Sequence, residues 1–335
     1  MAPAPFPHRP AIVPAAALAA DAATLDAVCR VLAAGDLVGV PTETVYGLAA
    51  DATNPAAVAG IYQAKGRPAF NPLIVHEGTV DAAMRHGVFD ARARLLAEAF
   101  WPGPLTLVVP KRADAALASA VTAGLETVAI RVPRSEAVRL LTARLGRPVA
   151  APSANRSGRV SPTSAEDVVA ELGEAVAVVI DGGPCAVGVE STIVGLAGDR
   201  AVLLRPGGLA AEAIEAVIGE PLVRPSADPA RPQAPGQLAS HYAPRAAVRL
   251  DATNVRTGEA LLAFGPQLPA DADKSVATCN LSPSGDVSEA ARNLFSMLRK
   301  LDASGANGIA VVPLPAGGLG EALADRLARA AAPRP

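Results

Sequence analysis

The chain has 335 residues, half of them hydrophobic and 19% charged, with a formal net charge of −2. That is enough apolar material for two domains with a well-buried core, and it excludes a disordered chain. A pI near 6.1 and only 3% aromatic residues argue against a large constitutive nucleic-acid surface or base-stacking platform, leaving room for a local basic cleft.

Residues 1–20 read as a flexible leader. His8-Arg9 followed by Pro10–Ala20 has the outline of a signal peptide, but Pro3, Pro5, Pro7 and Pro14 speak against it. Residues 21–34 form a helical pattern with Leu25, Val28, Cys29 and Leu32 on one side, and Gly35-Asp36 turns it into a buried strand, 37–41. Asn54-Pro55 is a cap and first-turn pair for a helix reaching Lys65, which Gly66 ends. Short strands follow at 73–76, after the Asn71-Pro72 turn, and at 105–109, after Trp101-Pro-Gly-Pro. The strand 127–132 alternates: Val128, Ile130 and Val132 share one face, and Thr127, Ala129 and Arg131 the other.

A helix over 134–145 leads to a strand at 148–151. Ser164-Ala-Glu-Asp167 reads as a capping box opening a helix to about 172, and 176–181 is a buried strand. Residues 191–196 and 201–205 form a hairpin around Gly198-Asp199, and a helix spans 210–218. Residues 221–247 hold six prolines without periodicity and read as an interdomain linker. Beyond it, strands at 260–264 and 309–312 alternate with helices at 287–303 and 321–331, the pattern of a small α/β domain with a parallel sheet. The expected domains are therefore 21–220 and 248–335.

Cys29, Cys185 and Cys279 are widely spaced and odd in number, which fits a reducing cytoplasm and neither a disulfide framework nor a zinc site. No stretch of 18 residues is free of both charge and helix breakers, so no membrane-spanning helix is expected. Lys65 and Arg67 either complement a helix dipole or grip phosphate, lysine as a point charge and arginine as a fork. Arg131, in mid-strand, must meet a structural carboxylate or a substrate carboxylate, and Thr127 shares its face. Thr42, Glu43 and Thr44, His76, Ser153 and Asn155, and Arg205 all follow apolar strands, and strand ends in α/β folds are where ligands bind. Several polar strand ends in one domain imply one shared cleft. There is no GxxxxGK[ST] loop and no GxSxG elbow, so a P-loop or serine-hydrolase mechanism finds no support.

The segments PTETVYGL, KGRP followed by NPLIVH, WPGPLTLVV, VAIRVP, PSANRSG, ESTIV and LLRPG, in this order over 24–220, resemble the YrdC-like threonylcarbamoyl-AMP synthases. PGQLASHYAP and GLGEALADRLARAA resemble the longer, two-domain form of that family. The resemblance implies a twisted mixed α/β sheet with a concave cavity, a smaller Rossmann-like second domain, and a linker lying over the site. It implies condensation of L-threonine, bicarbonate or CO2 and ATP, with Mg2+ accompanying the triphosphate, into threonylcarbamoyl-AMP and pyrophosphate. Partner transferase proteins would then carry the group to adenosine 37 of tRNAs. Lys65, Arg67, Asn71, Ser153, Asn155, Ser161, Arg205 and Tyr242 match the ATP side; Thr44, His76, Arg131 and Ser191 match the threonine side; Thr127 and Ala151 match the boundary. A non-catalytic RNA-binding module using the same basic cavity is the alternative of a different class, and carbamoyl transfer in hydrogenase maturation is a second enzymatic one.

Overall fold

The computed structural model describes residues 10–224, 234–236 and 240–333. Ten strands share one sheet: β1 (Ala11–Pro14), β2 (Val38–Val40), β3 (Gly47–Asp51), β4 (Ile74–His76), β5 (Leu105–Pro110), β6 (Thr127–Arg131), β7 (Val149–Ala150), β8 (Val178–Asp181), β9 (Thr192–Gly195) and β10 (Val202–Arg205). Their order is β1-β8-β2-β3-β7-β4-β6-β5-β9-β10, with parallel and antiparallel neighbours mixed. Four further strands, β11 (Ala247–Arg249), β12 (Glu259–Ala263), β13 (Thr278–Asn280) and β14 (Gly308–Val311), form a separate sheet, parallel throughout, in the order β11-β14-β12-β13.

Local chemistry sets the elements that matter for the site. Asn54 caps the helix Pro55–Lys65 by accepting from the backbone of Ala56 and Ala57, and Gly66, at φ +59°, ends it in the left-handed conformation. Ser135 caps the helix Glu136–Leu145 and also donates to the Pro41 carbonyl, which ties that helix to the end of β2. Ser164 caps the helix Ala165–Leu172, but the reciprocal bond of the expected capping box goes elsewhere: Asp167 accepts from the backbone N–H of Thr163. The expected hairpin is present, with β9 antiparallel to β10.

The expected flexible leader is corrected over residues 11–20. Ala11-Ile12-Val13 has strand character enough to extend the sheet, and β1 pairs in parallel with β8 from Ala11↔Val178 to Pro14↔Asp181. The helix Ala15–Ala20 then buries Leu18 against the layer that holds Val28 and Leu32. Residues 1–9 of that leader, and 225–233 and 237–239 of the expected linker, lie outside the described residues.

The two units meet over an apolar cluster. Leu294, Phe295 and Leu298 of the helix Val287–Asp302 and Leu323 and Leu327 of the helix Leu319–Ala331 pack with Val45, Val160, Val189 and Tyr242. Gly188 makes this approach possible: a Cβ there would lie 2.4 Å from the Cα of Arg292, and its φ of +80° suits glycine alone. No helix among the described residues is long and apolar enough to cross a membrane.

Candidate active site

Strand ends deliver the polar side chains to one place. β4 and β6 run parallel with His76 paired directly to Arg131. Thr42 and Thr44 follow β2, Ala151 and Ser153 follow β7, Ser191 precedes β9, and Arg205 ends β10. With Arg67, Glu190, Pro235, Gly236, His241 and Tyr242 they line one cavity. Its free volume is about 40 Å³, and Pro235, Gly236, His241 and Tyr242 of the linker form part of its wall. Ligand sites run to roughly 300–1,000 Å³, so a ligand of nucleotide size needs part of that wall to move.

One end of the cavity is built around Arg131. Its Nη1 donates to Thr44 Oγ1 at 2.9 Å and its Nε to the Gly103 carbonyl at 3.2 Å, while Nη2 lies 2.8 Å from Glu43 Oε1. Neither Nη2 nor that carboxylate oxygen has a hydrogen bond in good geometry among the described residues, so the contact is an ion pair with bonding directions to spare. Of the two readings left open for this arginine, the carboxylate partner is present and the guanidinium still faces the cavity. His76 Nδ1 lies 3.1 Å from the Ile74 carbonyl, which can only accept, so Nδ1 carries the proton and Nε2 is left as an acceptor. Burial, then the neighbouring Arg131, lower its pKa to about 3, and the ring is neutral at pH 7.

Lys65 and Arg67 define the other end. Lys65, only 3% exposed, donates from Nζ to the Ser153 carbonyl at 2.6 Å and the Asn155 carbonyl at 2.5 Å. A lysine serving only a helix dipole would snorkel to solvent; this one is turned inward and joins the two signatures 88 and 90 residues apart. Burial and then Arg67 push its pKa well below the usual lysine value. Arg67 donates to the Asn71 carbonyl, Asn71 Oδ1 and the Pro72 carbonyl, and burial lowers its pKa to about 10. Arg205 reaches Ser191 through the carbonyl at 2.9 Å and Oγ at 3.2 Å, and Ser191 Oγ also meets Thr106 Oγ1 at 2.7 Å. The hydrogen bonds of Lys65, Arg67 and Arg205 thus go to neutral oxygens, which leaves positive charge for an anion to match.

The hydrogen-bond accounting points the same way. Nine buried side-chain polar atoms lack a hydrogen-bond partner among the described residues, and six belong here: Glu43 Oε1 and Arg131 Nη2, which face each other as an ion pair, and Asn71 Nδ2, Asn155 Oδ1, His241 Nδ1 and Tyr242 Oη. Buried polar atoms are normally satisfied, so such a concentration marks a place suited to a polar ligand.

Of the residues expected from the sequence, Thr44, His76, Arg131, Ala151, Ser191, Arg67, Ser153, Arg205 and Tyr242 line the cavity. Lys65 and Asn71 stand directly behind the lining, bonded to Ser153 and Arg67, and Asn155 lies behind Lys65, whose Nζ its carbonyl accepts. Ser161 donates to Glu190 Oε1 at 2.5 Å. Thr127 does not line the cavity; it begins β6, four residues and about 13 Å of strand from Arg131. Sequence reasoning passed over Glu190 as a site residue and missed Arg326, whose Nε lies 2.7 Å from Glu190 Oε2. No group of three or more His, Cys, Asp or Glu side chains among the described residues could cage a metal ion.

The family model named Sua5/YciO/YrdC, described as "Telomere recombination", matches residues 30–207, and a model described as "Threonylcarbamoyl-AMP synthase, C-terminal domain" matches 209–332. The threonylcarbamoyl-AMP synthase of Pyrococcus abyssi is 42% identical over 311 residues, covering 88% of this chain and 90% of the relative. That of Bacillus subtilis is 41% identical, covering 89% and 90%. The crystal structure of P. abyssi Sua5 complexed with L-threonine superposes with a TM-score of 0.84 at 37% identity, covering 93% of this chain and 95% of the other.

Proposed function

The chain belongs to the threonylcarbamoyl-AMP synthase family, and from that premise we propose that it condenses L-threonine, bicarbonate or CO2 and ATP into threonylcarbamoyl-AMP and pyrophosphate. The product would pass to transferase proteins that modify adenosine 37 of tRNAs, with tRNA contact weak or indirect. The observation that carries the reading is the cavity itself. A buried guanidinium beside a threonine hydroxyl and a neutral histidine lines one end, and Arg67 and Arg205 line the other, with Lys65 behind Ser153.

Arg131 would take the amino-acid carboxylate through Nη2, with Thr44 and Ser191 beside it. His76 Nε2 can accept a hydrogen bond from the threonine hydroxyl or amine and has no proton to give at neutral pH. The carbamate made from the amine must attack the α-phosphate before it decomposes or meets water. Pyrophosphate leaves as the α–β phosphoanhydride breaks and the new carbamoyl–phosphate mixed anhydride forms, and no protein nucleophile is required. The protein's part is positioning, charge neutralisation and exclusion of water. Lys65, Arg67, Asn71, Ser153, Asn155, Ser161 and Arg205 would form the triphosphate side, and Thr127, outside the present lining, would reach the nucleotide only in the opened site. Tyr242 and its neighbours would move from the cavity wall to cover the nucleotide.

Mg2+ enters this reading as the companion of the triphosphate. Glu190, the only carboxylate lining the cavity among the described residues, is already engaged by Ser161 and Arg326, so these residues offer no cage of their own and no step is routed through the ion. Calorimetric titration with L-threonine tests the site. Binding that exceeds that of L-serine and weakens at least about tenfold in Arg131→Gln supports it, a buried charge-assisted contact being worth ~1.5–3 kcal/mol. Unchanged binding in that variant would move the carboxylate subsite elsewhere.

A further inference from the structure

Glu190 is out of place in a pocket made for anions. It lines the cavity within the charge field of Arg205, and it is buried. Burial works to raise its pKa, but Arg326 and Arg205 outweigh burial and hold it below the usual carboxylate range, so it is charged at neutral pH. A bare carboxylate there would repel a triphosphate.

The second α/β unit supplies what offsets it. Arg326, on the helix Leu319–Ala331, is fully buried. Its Nε meets Glu190 Oε2 at 2.7 Å, its Nη2 donates to the Pro206 carbonyl at 3.0 Å, and its Cζ lies 4.9 Å from the centre of the Tyr242 ring. Nη1 pairs with Asp325 on its own helix at 2.5 Å. One guanidinium therefore touches the residue before Ser191, the residue after Arg205, and the linker aromatic that lines the cavity.

We propose that Arg326 is a positioning residue for the reaction: the second unit lends its charge to neutralise Glu190 and to hold the Glu190-Ser191 and Arg205-Pro206 segments together, so that the cavity accepts an anionic nucleotide. Glu190 in turn fixes Ser161 through its other oxygen. The second unit is thus part of the nucleotide site, with no contact to the reacting atoms of its own. The proposal rests on the ATP-dependent reading above.

The test is ATP binding by calorimetry, together with KM and kcat for pyrophosphate release, in the full chain and in Arg326→Gln, Arg326→Lys, Glu190→Gln and the double variant Arg326→Gln/Glu190→Gln. Arg326→Gln is expected to weaken ATP binding and raise the KM for ATP by about tenfold or more, because a buried carboxylate loses its partner beside the ligand. The double variant is expected to recover most of that loss, since a neutral amide in place of the carboxylate needs no countercharge. Arg326→Lys is expected to retain most of the affinity, and Glu190→Gln to bind ATP at least as tightly as the unaltered chain. A merely structural arginine would not be rescued by neutralising Glu190. Unaltered ATP affinity in Arg326→Gln, or a double variant no better than the single one, would overturn the proposal. Should Arg326→Gln fail to fold, a tenfold weaker affinity in Glu190→Gln would overturn it equally. Absence of ATP binding by the unaltered chain would overturn the underlying functional reading, and the proposal with it.

Discussion

Lowering the pH from 7 to 5 should destabilise this protein through two buried histidines. His76 and His241 are both neutral in the folded state: burial is the largest cause, nearby cationic side chains add to it, and each pKa falls to about 3. In the unfolded chain each titrates near ~6.5. A depressed folded pKa gives stability that is fully present above the unfolded value and is lost as pH falls toward the folded one, because between the two the unfolded chain binds the extra proton. From pH 7 to pH 5 each histidine then removes ~2 kcal/mol, and the pair ~4 kcal/mol. That is a large part of the ~5–15 kcal/mol by which domains are usually stable. The result is insensitive to the folded pKa as long as it lies below about 4. Glu190, held below the usual carboxylate range, titrates beneath this window and does not confuse it. Urea unfolding at pH 7, 6 and 5, followed by the fluorescence of the buried Trp101 and by circular dichroism, reads the effect directly. His76→Gln and His241→Gln should each remove about half of the pH slope. A midpoint that stays flat from pH 7 to 5, or a slope unchanged when both histidines are replaced, would refute the reasoning.

Lys65→Ala and Arg67→Ala should each abolish pyrophosphate release while circular dichroism shows a folded chain. The first also orphans the Ser153 and Asn155 carbonyls and should lower stability by ~1–3 kcal/mol, measured by urea unfolding. Gly207→Ala should abolish L-threonine binding in a titration. A Cβ there would lie 2.4 Å from Glu190 O, Ser191 C and Thr192 N, all backbone atoms that have no rotamer to swing away, so the segment carrying Ser191 must shift.

How much of this was legible beforehand differs from residue to residue. Lys65, Arg67, Ser153 and Asn155 stood out by spacing, and burial then set aside the helix-dipole reading of Lys65 and Arg67. Arg131 stood out because alternation put it among apolar neighbours in a strand. Its pairing with Glu43 did not, since nothing local says that a residue in a strand-end loop will be buried against a strand 88 residues on. Arg326 left a signal that went unread: on its helix, Ala322, Leu323, Leu327 and Ala330 form the buried stripe, and the arginine sits within it. The partner that explains it is 136 residues away in sequence, which no window can see. β3 was missed because Gly47-Leu-Ala-Ala-Asp is poor strand material, and pairing with β2 and β7 overrides propensity there. β1 was hidden by Pro14 within it and the prolines before it, and an edge strand tolerates proline. The order of the ten strands rests on long-range pairings of the same kind.

The central claim is an ATP-consuming condensation, and pyrophosphate release from ATP, with and without L-threonine and bicarbonate and with L-serine as control, tests it most directly. The account predicts release that requires both co-substrates and prefers threonine. Release indifferent to threonine, or none at all from a folded chain, would contradict it and move the RNA-binding alternative forward.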